Sequence, residues 1–252
     1  MDVRPKKSLG QHFLNDQNIA RKIAESIEGQ PQMVLEIGPG MGVLTKFLKE
    51  KHDNLKVVEI DKESVGYLIT NLLLPEEKII SGDFLQLDLS EHCPDNYCII
   101  GNFPYNISSQ IFFKILEERN HVTQTVCMIQ KEVAERIAAP SGSKTYGILS
   151  VLLQAFFDIK YLFTVPEHVF VPPPKVKSAV IRLQRNSTNE LDCDEELFFK
   201  IVKTAFNQRR KTLRNSLRSM FQPEKLSAEI FNERPERLNV ADFVMLTKLC
   251  KA

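Results

Sequence analysis

Apolar residues at Ile19, Ile23 and Ile27 recur at helical spacing, which predicts a helix through QNIARKIAESI with Asn15 or Asp16 as its cap. The run MVLEIGPG then reads as a buried strand that breaks at glycines, followed by a helix at about 43–50. Next come a strand LKVVEID, a helix near 62–74, a short strand KIIS and a strand YCIIGN. After NFPY, a helix near 108–118 leads into the strand TVCMIQ. Strands that alternate with helices at this interval predict a parallel, doubly wound α/β sheet.

Past residue 145 the pattern changes. A helix at YGILSVLLQAFF, strand-like DIKYLF, the stiff VPPPK and the alternating VKSAVIRL predict an antiparallel addition to the sheet. From NSTNELDCDEE onward the apolar positions recur only at helical spacing. The expected organisation is an α/β domain over residues 1–187 and a small all-helical domain over 188–252.

Composition narrows the class. Hydrophobic residues make up 43% of the 252 and charged residues 26%, an ordinary globular balance without repeats or low-complexity tracts. The N-terminus lacks an apolar signal region, and no run of about 18 apolar residues occurs, so neither secretion nor a membrane span is expected. Cys93, Cys98, Cys127, Cys193 and Cys250 are scattered, without the pairing of a disulfide framework or the spacing of a zinc site. They read as reduced cytoplasmic thiols, and no metal is expected.

Candidate chemistry gathers where strands end. EIGPGMG, Glu36 to Gly42, lies at a strand-to-helix junction, where glycines let the chain turn and a ligand approach. Glu59 ends the next strand, the place where an acid in a doubly wound sheet bonds ribose hydroxyls. A dinucleotide fingerprint would need Gly or Ala where this chain has Val43. Glu36, Glu59 and Asp83 fall at the carboxyl ends of three successive strands and suit a cationic nucleoside such as S-adenosylmethionine better than a diphosphate.

Asn-Phe-Pro-Tyr at 102–105 fits a second role. An exocyclic base amine is a poor nucleophile because its lone pair is delocalised into the ring. The Asn102 side-chain oxygen and a backbone carbonyl, that of Phe103, can accept hydrogen bonds from the amine and favour a more tetrahedral nitrogen. Pro104 fixes the turn, and Tyr105 offers a ring for stacking the base. Phe170, beside three successive prolines, is the candidate second ring of the sandwich. Taken singly, the tetrapeptide also reads as a turn after a strand, and Phe170 as core packing.

Taken together and in order, KKSLGQHFL, EIGPGMG, VVEID, GDFL, GNFPYNIS, QKEV, YGILSV, FVPPPKVKSAV and NQRRKTLRNSL resemble the ribosomal RNA adenine N6,N6-dimethyltransferases, over about residues 5 to 220. The likeness is strongest to the bacterial small-subunit dimethyladenosine transferases. It implies a Rossmann-like methyltransferase domain with a small helical C-terminal domain. It also implies S-adenosylmethionine-dependent dimethylation of two adjacent adenines in a loop near the 3′ end of small-subunit RNA, during ribosome biogenesis. By position, the family's cofactor contacts fall on His12, Leu14, Gly38, Glu59, Asp83 and Asn102, with Glu36 and Gly40 added from the glycine turn. The chain departs from the family at His12, where Asn is common, and at Phe103, where Leu or Ile is usual.

Net charge is +1, yet residues 203–218 hold six Lys or Arg and no acid. Contact with RNA phosphates is expected there, through Arg209, Arg210, Lys211 and Arg214, aided by Arg4, Lys6 and Lys7 near the first strand. Expected partners are therefore small-subunit RNA within an assembling subunit, met in the cytoplasm by a monomer, with no membrane. Alternatives are a relative that methylates one large-subunit adenine, a DNA adenine methyltransferase, an assembly factor whose binding outweighs its chemistry, and, remotely, a nicotinamide oxidoreductase.

Overall fold

The fold was read from a computed structural model that describes residues 3–6, 9–72, 74–93 and 95–251. The chain begins with a two-residue strand β1 (Phe13–Leu14) and a helix α1 (Gln17–Ala24). Asp16 is the cap: its carboxylate accepts from the N–H groups of Asn18 at 2.8 Å and Ile19 at 3.0 Å, satisfying donors that a helix start leaves free. Then follow β2 (Val34–Ile37), α2 (Thr45–Lys51), β3 (Leu55–Glu59), α3 (Lys62–Leu72), β4 (Ile79–Ser81), β5 (Tyr97–Asn102), α4 (Ser108–Glu117) and β6 (Val122–Gln130). Apart from β1, all lie close to the positions that the apolar pattern predicts.

These strands form one sheet with β7 (Phe157–Val165) and β9 (Ser178–Arg185), in the order β4-β3-β2-β5-β6-β9-β7. β4 to β6 are mutually parallel, and β9 returns antiparallel to β6. Every residue of β2 is buried, as expected for a strand covered on both faces. Val34, Val57, Ile100, Val126 and Val180 share one core with Ile23 of α1 and Leu48 of α2. Full burial of each such side chain is worth about 1.5–3 kcal/mol. This arrangement sets the carboxyl ends of β2, β3 and β5 side by side.

Three short elements escape the pattern. A helix α5 (Lys131–Ala138) follows β6 directly, and a second short strand β8 (Phe170–Val171) pairs antiparallel with β1, Leu14 opposite Phe170 and Phe13 opposite Val171. Strands of two residues are too short to carry a periodic signal.

The chain divides into two compact units, Met1–Ala134 with Ile159–Arg185, and Glu135–Asp158 with Asn186–Ala252. The expected boundary after 187 lies near the second crossing, but a single cut misplaces residues 135–158. They group with the C-terminal helices because α6 (Ile148–Gln154) packs on α7 (Glu195–Asn207) and α9 (Val240–Lys251). Within that unit Phe206 lies between Tyr146 and Phe243, at ring separations of 6.2 and 6.1 Å. No helix among the described residues is long and apolar enough to cross a membrane.

Candidate active site

A cavity opens at the carboxyl ends of β2, β3 and β5, where a doubly wound sheet binds its ligands. Gly38 and Gly40 of the glycine turn line it, with Glu59 and Asp83 from the next two strand ends. Asn102, Phe103, Pro104, Tyr105 and His12 complete the set of expected residues that the fold brings together. Ile60 and Phe84, each next to an expected acid, add apolar walls, and adjacency to those acids was the signal that would have found them.

Three expected residues are elsewhere. Leu14 and Phe170 are buried in the hydrophobic core, Phe170 at 1% exposure, because the β1–β8 pairing turns both inward. Neither is among the residues that line the cavity. Glu36 is also absent from the cavity lining. Its side chain is buried at the base of the glycine turn and accepts a hydrogen bond from the Thr45 hydroxyl at 2.7 Å. Burial, partly offset by that bond, pushes its carboxyl up to about 8.

The turn itself is built for close approach. Gly38 and Gly40 have φ of +64° and +55°, where a side chain is strained. A side chain at Gly40 would also meet the Phe13 ring at 2.8 Å, whereas one at Gly38 would point into open space. Glu59 stands beside this turn and is 3% exposed. It accepts from the N–H groups of Gly40 at 3.0 Å and Asp61 at 2.9 Å, one on each oxygen. Burial raises its pKa and those backbone donors oppose the rise. Each oxygen keeps a lone pair for a hydroxyl donor.

Asn102 is held in one orientation. Its Nδ2 donates to the His12 carbonyl at 2.9 Å, and because a carbonyl only accepts, the amide's other end must be the oxygen. Oδ1 is therefore the acceptor left for a ligand. The Phe103 ring is buried edge-on to Phe112, at 5.9 Å and 66°, while its N–H donates to the Met128 carbonyl at 3.0 Å. This anchors the tetrapeptide through a side chain larger than the family's usual aliphatic one. Gly101 precedes it because a Cβ there would lie 2.5 Å from the Ile37 carbonyl oxygen. The Tyr105 hydroxyl lies 2.5 Å from Ser178 Oγ, and burial, opposed by that bond, raises its pKa. A neutral phenol with a tethered hydroxyl serves as a flat surface.

The residues present fit S-adenosylmethionine: a carboxylate for ribose hydroxyls, an open glycine cradle, apolar walls for a purine, and Asp83 at the third strand end. Lys6 is less available than expected. Its ammonium pairs with Asp61 at 2.6 Å and Glu63 at 3.1 Å. Arg4 is exposed, and Lys7 lies outside the described residues.

In the helical unit the centre of the basic run, Arg209 to Lys211, is a turn between α7 and a short α8 (Leu213–Ser216), with Lys203 in α7 and Arg214 in α8. Arg210, Lys211 and Arg214 are exposed. Arg209 instead donates to the Lys144 carbonyl and sits 3.8 Å from the Glu236 carboxylate, which makes it a tie between segments. Lys144, Arg234 and Arg237 line a shallow groove with Arg209 and Arg210. They escape a sequence reading because ERPER alternates sign and looks neutral, and only folding places its arginines beside the run.

Comparison with known proteins agrees with this geometry. The family model for ribosomal RNA adenine dimethylase matches residues 3–249. A ribosomal RNA small subunit methyltransferase A from Parabacteroides distasonis is 57% identical over 248 residues, covering 97% of this chain and 93% of that protein. Among solved structures, a dimethyladenosine transferase from Plasmodium falciparum is similar with a TM-score of 0.79 at 25% identity, covering 93% of this chain and 96% of that one. The 23S rRNA methyltransferase ErmE is similar with a TM-score of 0.70 at 26% identity, covering 94% and 99%. Full-length matches over both the cavity and the helical unit mean that the chain belongs to the ribosomal RNA adenine dimethylase family.

Proposed function

We propose that the protein dimethylates N6 of two adjacent adenines in a loop near the 3′ end of small-subunit ribosomal RNA. S-adenosylmethionine supplies the methyl groups as an electrophile. Glu59 binds the ribose hydroxyls, the turn at Gly38 and Gly40 lets the backbone close on the cofactor, and Asp83 and His12 complete its site. The observation that carries the reading is Asn102, whose Oδ1 is left as the free acceptor at the cavity by the bond from its Nδ2 to His12.

There Oδ1 and the Phe103 carbonyl accept the two amino hydrogens, draw the lone pair out of conjugation and aim it. After one transfer a single N–H remains, which one of these acceptors still holds while the lone pair turns to a second methyl. No side-chain base is needed in this scheme, since the methylated nitrogen is acidic enough to release its proton to water. Tyr105 supports the base, which a flexible single-stranded loop can present more readily than a duplex.

The 57% identity to a small-subunit enzyme, against 26% to ErmE, favours small-subunit over large-subunit RNA. We place the reaction on an assembling subunit, in the cytoplasm, by a monomer whose Arg210, Lys211 and Arg214 meet RNA phosphates. Incubation with labelled S-adenosylmethionine and unmethylated small subunits, large subunits or DNA tests this, with mass spectrometry of the digested nucleosides. Dimethyladenine at two adjacent small-subunit positions is expected. Label confined to large-subunit RNA or DNA overturns the assignment.

A further inference from the structure

Residues 9–13 of the N-terminal segment form one wall of the cavity, and Glu59 and Ile60 lie on another. At its His12 end this segment is fastened toward the tetrapeptide. The His12 carbonyl receives the Asn102 amide at 2.9 Å, and His12 Nδ1 lies 2.8 Å from the Pro172 carbonyl. The His12 ring lies against Tyr105, with centroids 5.5 Å apart, and Phe13 pairs with Val171. At its other end the segment is fastened to Asp61, a carboxylate with 3% exposure that the reaction above does not use.

Both Asp61 oxygens are taken. Oδ1 accepts from the Lys6 ammonium at 2.6 Å and from the Glu63 N–H at 3.1 Å, and Oδ2 accepts from Gln11 Nε2 at 3.4 Å. Gln11 closes the ring, since its Oε1 accepts from the Lys6 N–H at 2.7 Å. The Lys6 carbonyl in turn accepts from the N–H groups of Leu9 at 3.1 Å and Gln11 at 3.4 Å. Burial acts to raise the Asp61 pKa, and the bonds from Lys6, Glu63 and Gln11 outweigh it, so the carboxyl is held ionised below its ordinary value. The backbone of the same residue faces the ribose acid, its N–H donating to Glu59 at 2.9 Å. A cap for α3 needs only an acceptor for the Glu63 N–H, which accounts for neither the lysine nor the glutamine.

Resting on the placement of S-adenosylmethionine in this cavity, we propose that Asp61 and Lys6 are positioning residues for the cofactor. Their ion pair sets residues 9–11 against the Glu59 side of the cavity and so retains the cofactor, without acting on the transfer itself. The two fastenings divide the work. Loss of the Asp61 anchor frees the end of the segment beside Glu59, whereas the His12 end, and with it Asn102, keeps its own bonds. Lys6 thereby has a partner within the protein in place of the RNA phosphate that its charge suggests.

Charge alone predicts opposite signs for two variants. S-adenosylmethionine carries a positive sulfonium, so by simple attraction Lys6→Met should tighten its binding and Asp61→Asn should weaken it. The anchor requires that both weaken it. Asparagine still caps α3, and methionine keeps most of the lysine stem at a side chain that is 36% exposed. Calorimetry should show Kd raised at least about fivefold in each variant, within the range for one net hydrogen bond. The double variant should lie within about twofold of the weaker single one, because the same link is lost in all three. With unmethylated small subunits and saturating cofactor, kcat of Lys6→Met should stay within about twofold of the unmodified protein. Hydrogen exchange at residues 9–11, measured without cofactor, should be faster in Lys6→Met, with exchange in the central sheet unchanged. Tighter or equal cofactor binding by Lys6→Met overturns the proposal, as does unchanged exchange at residues 9–11 or a fall in kcat larger than the rise in Kd. If Asp61→Asn does not fold, Lys6→Met decides alone. Failure of the unmodified protein to bind S-adenosylmethionine overturns the placement of the cofactor itself and is distinguishable from all of these.

Discussion

Glu36→Gln separates a buried structural carboxyl from a cofactor ligand. In the folded protein the carboxyl titrates at about 8 instead of its ordinary 4.5, because burial penalises the ionised form. At ~1.4 kcal/mol per pH unit, that displacement amounts to about 4–5 kcal/mol. A carboxyl raised in the folded state contributes its stability fully below pH 4.5, and the contribution is lost as pH rises through about 8. Between those limits the unfolded chain ionises Glu36 and gains free energy that the folded chain does not. Glutamine keeps the shape and an acceptor for the Thr45 hydroxyl, and it has no proton to lose. The difference in unfolding free energy between the two proteins should therefore shift by about 3 kcal/mol between pH 5 and pH 8, always toward the variant as pH rises. Titrating groups that do not interact with Glu36 are common to both and cancel, and the one coupled carboxylate, Glu59, adds to the rise at Glu36 less than burial does. Urea unfolding at four or five pH values reads the difference directly, and cofactor affinity at pH 7 should be nearly unchanged, since Glu36 does not line the cavity. Parallel stability profiles, or a tenfold loss of cofactor affinity in a stably folded variant, would refute this account.

Asn102→Ala should lower kcat at least tenfold, with RNA binding retained, because the lost acceptor acts on the amine during transfer; a kcat within about threefold of the parent in single-turnover assays would remove Asn102 from that role. Glu59→Gln should weaken S-adenosylmethionine binding by about 1.5–3 kcal/mol, the range for a hydrogen bond to a charged group, read by calorimetry as a tenfold or greater rise in Kd. Arg209 and Arg210 should respond differently despite being neighbours. Arg209→Ala should lower the melting temperature by breaking its ties to Lys144 and Glu236. Arg210→Ala should leave the melting temperature in place and reduce the salt slope of RNA binding by about 0.7–0.9, one phosphate contact.

The order of the site along the chain was legible in the sequence. Glycine turn, Glu59, Asp83 and Asn102 each follow an apolar run, and strand periodicity with turn chemistry acts over a few residues, so a parallel sheet had to deliver all four to one edge. Asp16 was legible for the same reason, since a cap is a contact within three residues. What the tertiary structure alone decided is which side chains at that edge face the cavity. Glu36 is the third residue of β2 and Glu59 the last of β3, and one is turned to Thr45 and the other to Gly40 and Asp61, a choice made by partners outside their strands. Phe170 reads from sequence as a ring beside stiff prolines, and a two-residue pairing opposite Leu14 decides that it is buried. His12 gains its place against Tyr105 from Pro172, 160 residues away in sequence. Arg209 likewise becomes a tie, and not a free cation, only when Lys144 and Glu236 fold against it. Periodicity records how a segment pairs with itself; orientation at a site depends on long-range neighbours whose contribution no local window contains.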